Sequence, residues 1–199
     1  MLKKVVNSAM VLSVCLAVGH AKPLAECKSD KDKVNGCVEK IYYGDRRQLR
    51  YETPYKNDER NGIEKAYYGN GQLEAETPYE NDKINGIAKG YYESGQLFSE
   101  VPHENDKRSG IVKHYYESGQ LKREIPFEND KRNGIEKEYY ESGKLRYETP
   151  YKNDERNGVE KEYYESGKLK KETLYEDGSV IVRKTYNEQG EIINSQQNK

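Results

Sequence analysis

Catalysis by side chains needs a nucleophile beside a base, two carboxylates at a set separation, or ligands converging on a metal. This chain of 199 residues holds 35 acidic side chains but only three histidines and three cysteines. His103 stands where neighbouring stretches have Tyr79, Phe127 and Tyr151, and His114 where they have Ala66, Gly90 and Glu138. Both read as drift at a repeated position rather than as bases. Ser94, Ser118, Ser142 and Ser166 each precede a glycine in a turn, and no histidine recurs with them. The abundant Glu could supply a glycosidase pair. It recurs at a fixed spacing, however, whereas a catalytic pair is a local irregularity. Asp106, Asp130 and Asp154 lie in NDKR and NDER stretches that lack the alternating oxygen ligands and bidentate Glu of a calcium loop. Neither GxxxxGK[ST] nor GxGxxG occurs. The expectation is a protein with no catalytic residue, no metal and no cofactor.

The bulk composition narrows the architecture. Charged residues make up 35% and hydrophobic ones 33%, with 19 Tyr, two Phe and no Trp. Mean hydropathy is -1.18. So few aliphatic side chains cannot fill a thick sandwich or a doubly wound core. Basic and acidic residues balance to a net charge of -1, so the electrostatic funnel of a nucleic-acid binder is missing and no such partner is expected. No run of about 20 apolar residues suggests a polytopic membrane protein.

The first residues read as an address. MLKKVVNSAMVLSVCLAVGHA has Lys3 and Lys4 ahead of an apolar stretch, then Gly19 and Ala21 at the -3 and -1 positions of a cleavage site before Lys22. Residues 1–21 are therefore expected to be a cleavable signal peptide, with the mature protein periplasmic, at the cell surface or secreted. Two cysteines remain after cleavage, Cys27 and Cys37. In an exported chain they are expected to form a disulfide, worth roughly 2–3 kcal/mol by loop entropy.

A 24-residue repeat organises the rest. Copies begin at Asn61, Asn85, Ser109, Asn133 and Asn157, and a looser one runs from Asn35 to Arg60. Each contains two short runs between turn signals, too short for a helix pair and right for two strands. The expected domains are an N-terminal cap over 22–34, six β-hairpin units over 35–177, and a half-unit cap with a polar tail over 178–199. The expected fold is all-β: tandem antiparallel hairpins in an elongated single-layer or half-rolled sheet, ~58–67 Å long at ~4.8 Å per strand.

Cross-strand chemistry suggests a register. With Ser142-Gly143 as a two-residue loop and NDERNG as a looser second turn, Tyr140 faces Leu145 and Tyr139 faces Arg146. Lys137 then faces Glu148, and the same pairing recurs as Lys65–Glu76, Lys89–Glu100, Lys113–Glu124, Lys161–Glu172 and Lys40–Glu52. Opposite charges across strands favour this register. One face would carry Tyr140, Leu145, Thr149 and Tyr151 and be the buried one. The other, wetter face would carry the Lys–Glu pairs, Ile135, Pro150 and the stripe Tyr67, Tyr91, Tyr115, Tyr139 and Tyr163. That stripe is the candidate docking face, since Tyr combines large apolar area with a polar tip.

The recurring G-x-x-K-x-Y-Y-E-S-G-x-L-x-x-E resembles the bacterial variant of the MORN repeat (membrane occupation and recognition nexus) over about residues 35–190. The resemblance implies scaffolding of protein partners or binding of phospholipid at a membrane surface. Relatives are also labelled YwqK-type antitoxins of toxin–antitoxin systems, which implies an antitoxin role as an alternative. The leading expectation is a non-enzymatic exported scaffold with a protein partner, with lipid or polysaccharide as other ligands.

Overall fold

The computed structural model describes residues 23–44 and 47–198. The expected signal peptide and its cleavage point before Lys22 lie outside the described residues. Nineteen strands form one sheet. Its long strands are Cys37–Tyr42, Leu49–Lys56, Gly62–Tyr67, Leu73–Glu80, Gly86–Tyr91, Leu97–Glu104 and Gly110–Tyr115, followed by Leu121–Glu128, Gly134–Tyr139, Leu145–Lys152, Gly158–Tyr163, Leu169–Glu176, Ser179–Tyr186 and Ile192–Gln197. Each pairs antiparallel with the long strand before and after it. Among the described residues the first and last strands do not pair, so the sheet stays open.

The unit around Ser142 shows how the sequence makes a hairpin. The Gly143 amide donates to the Tyr140 carbonyl at 2.8 Å and the Tyr140 amide to the Lys144 carbonyl at 2.8 Å. Gly143 has φ 81°. This is a three-residue loop, a turn closed by a left-handed glycine, and not the expected two-residue one. Tyr139, rather than Tyr140, therefore pairs with Leu145. Arg146 is then left over as a bulge, because Glu138 pairs with Tyr147. Loop and bulge each shift the register by one residue and cancel. Lys137 faces Glu148 and Ile135 faces Pro150, as the charge pattern required.

The other turn reverses its expectation too. Asn129 and Asp130 have φ 50° and 67°, the paired left-handed residues of a two-residue type I′ loop. NDKR is thus the tighter turn. It folds the two-residue strand Lys131–Arg132 back on Phe127 and Glu128. The chain then kinks at Gly134, φ 120°, and starts the next hairpin. Within a hairpin six residue pairs align. Between hairpins only Arg123–Glu138 and Glu124–Lys137 do, so side chains must hold successive units together.

The bulge also re-sorts the faces. Cross-strand partners share a face, so Leu145 joins Tyr139 on the Lys–Glu side. The Leu positions are only half-buried, and the expected Leu core does not form. Burial does concentrate on the side of Thr149 and Tyr151, as expected but without Leu: Thr53, Val112, Ile125, Glu136, Thr149, Tyr151, Glu160, Thr173 and Tyr175 are buried there.

The two ends differ. Cys27 and Cys37 form a disulfide with Cα atoms 5.1 Å apart. It pins Ala25–Cys27 against the outer edge of the first strand, where the Cys27 amide meets the Val38 carbonyl at 2.9 Å and the Val38 amide meets the Ala25 carbonyl at 2.8 Å. A short helix, Asp30–Asn35, follows, its capping box formed by Ser29 and Asp32. At the far end the expected polar tail is largely strand: Ile192–Gln197 pairs with the preceding strand and is exposed along its length.

Candidate interaction face

On the Lys–Glu side the expected pairs join into one row across the sheet. Lys40, Glu52, Lys65, Glu76, Lys89, Glu100, Lys113, Glu124, Lys137, Glu148, Lys161, Glu172 and Lys184 are successive cross-strand neighbours. Each Lys within the repeats has a Glu on either side. Closed ion pairs are not what the row provides. Of these pairs in the described residues, Lys40–Glu52 comes within ion-pair distance, at 3.5 Å.

The carboxylates are engaged by tyrosines. Tyr67, Tyr91, Tyr115, Tyr139 and Tyr163 donate their hydroxyls to Glu52, Glu76, Glu100, Glu124 and Glu148 of the preceding unit at 2.7–3.0 Å. Burial, and then the bonded carboxylate, pushes each of these phenols up to about 12. The candidate stripe thus lies on the expected face, with its polar tips already used to tie units together. The second tyrosine of each pair does related work. Tyr68, Tyr92, Tyr116 and Tyr140 donate to the carbonyls of Tyr91, Tyr115, Tyr139 and Tyr163 one unit on, at 2.7–2.9 Å.

What this face exposes is aliphatic. Ile63, Ile87, Ile111 and Ile135 are 51–53% exposed and Val159 is 43% exposed. They face Pro78, Pro102, Pro126, Pro150 and Leu174 across the hairpins. At two strands per unit, successive members stand ~10 Å apart. Ile135 thus lies on the wetter face, where the charge register placed it.

A clamp at the type I′ turns was also missed. Arg132 stacks on the Tyr151 ring, 4.0 Å from its centroid, and its amide and Nε donate to Asp154 Oδ1 at 2.9 and 3.3 Å. Arg60 with Tyr79 and Asp82, and Arg108 with Phe127 and Asp130, repeat the arrangement. Backbone amide and then guanidinium hold these Asp carboxyls below their ordinary range. The Asp side chains thus serve the turns and their clamps; among the described residues no acidic, His or Cys cluster could hold a metal. Two positions depart from the clamp: at Arg156 the Asp is replaced by Gly178, and at the second position Ile84 replaces Arg and His103 replaces the aromatic ring, so only the Ile84 amide reaches Asp106, at 2.7 Å. Installing both partners, Ile84→Arg with His103→Tyr, should stabilise the protein by about 1 kcal/mol, combining an exposed ion pair with a cation–π contact. In denaturant unfolding the double variant should exceed the sum of the two single ones; strict additivity would show that ring and guanidinium do not cooperate.

The spacing of these clamps also delimits the family match. The sequence profile described as the MORN repeat variant matches residues 60–81, 84–105, 108–129, 132–153 and 156–177. Every matched segment opens on a clamp position: Arg60, Ile84, Arg108, Arg132 or Arg156. No curated protein matches the sequence. With more than half of its length in five matched units and each unit folded as the same hairpin, the chain belongs to the MORN repeat variant family.

Proposed function

We propose that the protein is a non-enzymatic, exported scaffold that docks a protein partner along the Lys–Glu face. The observation that carries this reading is the row Ile63, Ile87, Ile111, Ile135 and Val159, half-exposed in every unit. An exposed apolar row flanked by polar groups is the usual make-up of a protein interface. The half-buried rings of Tyr67, Tyr91, Tyr115, Tyr139 and Tyr163 border it and keep it rigid. The alternating Lys and Glu add specificity without a net field. Export is supported by the N-terminal sequence and by a disulfide compatible with an oxidising compartment.

The test places a photo-cross-linking residue at position 111 in the protein's native cells. A discrete cross-linked protein is expected. Replacing Ile87, Ile135 and Val159 by Thr, which keeps β-propensity, should reduce its yield at least about tenfold, as the loss of apolar contacts worth more than 1.4 kcal/mol implies. An unchanged yield in a folded variant, or no cross-linked protein at all, would end the reading.

A further inference from the structure

On the opposite face the repeat is broken in one place. Positions equivalent to Arg123 hold Tyr51, Ala75 and Ser99 nearer the N-terminus, then Tyr147 and Lys171 further on; those equivalent to Glu138 hold Ala66, Gly90 and His114. Those equivalent to Glu136 hold Glu64, Ala88 and Val112 before it and Glu160 after it. Between residues 66 and 112 these positions are small or apolar, and from His114 and Arg123 on they are charged or aromatic, as Tyr51 and Glu64 are at the start of the sheet. The change coincides with a depression of about 320 Å³ lined by Arg123, Glu136, Glu138, Tyr147, Arg156 and Lys171, among others.

The charges of this depression neutralise one another. Arg123 donates to Glu136, Arg146 to Glu138 at 3.0 Å, and Arg156 lies 3.7 Å from Glu160. Lys171 lies 3.3 Å from the neighbouring Glu162. A free anion or cation would therefore meet no net field. Hydrogen-bonding capacity is left over nonetheless. Glu136 is 6% exposed; its Oε2 and Arg123 Nε have no hydrogen-bond partner, their nearest opposite charges being Arg132 Nη1 at 3.9 Å and Glu138 Oε2 at 4.0 Å. One is an acceptor and the other a donor. A hydroxyl satisfies both at once, donating to the carboxylate and accepting from the guanidinium, and does so without adding charge. The Arg123 side chain is 38% exposed, so the guanidinium side of the pair borders solvent. Tyr147 offers a ring beside the same charged groups.

We infer that this depression binds a neutral polyhydroxylated ligand, a single sugar unit, on the face opposite the proposed protein-docking row. The site is independent of that row and of the reading built on it.

The test is isothermal calorimetry and saturation-transfer NMR on the full mature chain with glucose, galactose, mannose and N-acetylglucosamine, beside glutamine and inorganic phosphate. At least one sugar should bind saturably, and glutamine and phosphate should not. Glu138→Ala and Tyr147→Ala are the diagnostic variants, because Ala66 and Ala75 already occupy those positions in a folded unit of the same sheet. Each should weaken sugar binding about ten- to hundredfold, the worth of a hydrogen bond to a charged group or of a ring contact. Ile87→Thr, on the other face, should leave it unchanged. No saturable binding by any of the four sugars, equal binding by the folded variants, or preference for glutamine or phosphate would overturn the assignment.

Discussion

Gly134→Ala should destabilise the protein by about 2–5 kcal/mol, although it adds a single methyl group. Two costs combine. At φ 120° an L-residue is strained, by roughly 1–3 kcal/mol. The new Cβ would also stand 3.0 Å from Pro126 Cγ and 3.3 Å from Pro126 Cβ, an overpacking that typically costs about 1–3 kcal/mol. The proline ring yields little beyond a change of pucker, because it is closed onto the backbone nitrogen. Gly143→Ala separates the two effects. Its φ is 81° and the nearest atom to an added Cβ is Gln120 Oε1 at 3.8 Å, so only the left-handed strain applies, about 1–2 kcal/mol. Denaturant unfolding should rank Gly134→Ala as the more damaging, and Pro126→Ala should recover part of its loss in the double variant. Equal losses at the two glycines, or full additivity with Pro126→Ala, would show that the close approach contributes nothing. The kink matters because it lets each unit leave its two-residue strand and begin a new hairpin. Gly62, Gly86, Gly110 and Gly158 meet Pro54, Pro78, Pro102 and Pro150 in the same way.

Charge is what made the register legible. Lys and Glu alternate so regularly that only one alignment places them opposite each other, and that alignment survives although the turn was misjudged by a residue. The turn was misjudged because Ser142-Gly143 is equally at home in a two-residue loop and at the end of a three-residue one. Nothing local announces that Arg146 bulges. The same bulge moved Leu145 to the other face, so its burial could not be inferred from alternation alone. The tyrosine stripe was legible in its position and in its face. Its bonds were not, since each hydroxyl reaches a Glu of the preceding unit, 15 residues back. The charged depression was hardest to see. Arg123, Glu138, Tyr147 and Lys171 meet across three hairpins, and along the chain they look like ordinary solvated residues. A signal was present all the same: these positions hold Ala, Gly, Ser or Val between residues 66 and 112 and are charged or aromatic from His114 and Arg123 on. The clamp left a similar trace, because Ile84 and His103 depart from the pattern in concert.

Breaking the Cys27–Cys37 link should have the second large effect, and a local one. By loop entropy the bond is worth about 2–3 kcal/mol. In an array whose units contact mainly their neighbours, the loss falls on the end that holds it. Cys27→Ser is the suitable change, since Cys37 is only 2% exposed and a polar replacement there would add a separate burial cost. The segment Ala25–Cys27 should then leave the edge of Cys37–Tyr42, opening the bonds between Cys27 and Val38 and between Val38 and Ala25. Hydrogen exchange should accelerate at those two amides and at Asn57 and Asp58, which donate to the helix carbonyls of Val34 and Lys33 at 3.0 and 3.2 Å. Amides between Gly110 and Lys152 should keep their protection. The freed edge is an unpaired row of backbone groups, a template for strand addition, so the variant should also self-associate as its concentration rises. The opposite edge, Ile192–Gln197, is exposed in the intact protein, which gives the freed strand a ready partner in a second molecule. Sedimentation of Cys27→Ser against the oxidised protein distinguishes the outcomes. A monomeric variant with unchanged exchange at Cys27 and Val38 would mean that the backbone bonds hold the cap unaided and that the disulfide protects no edge.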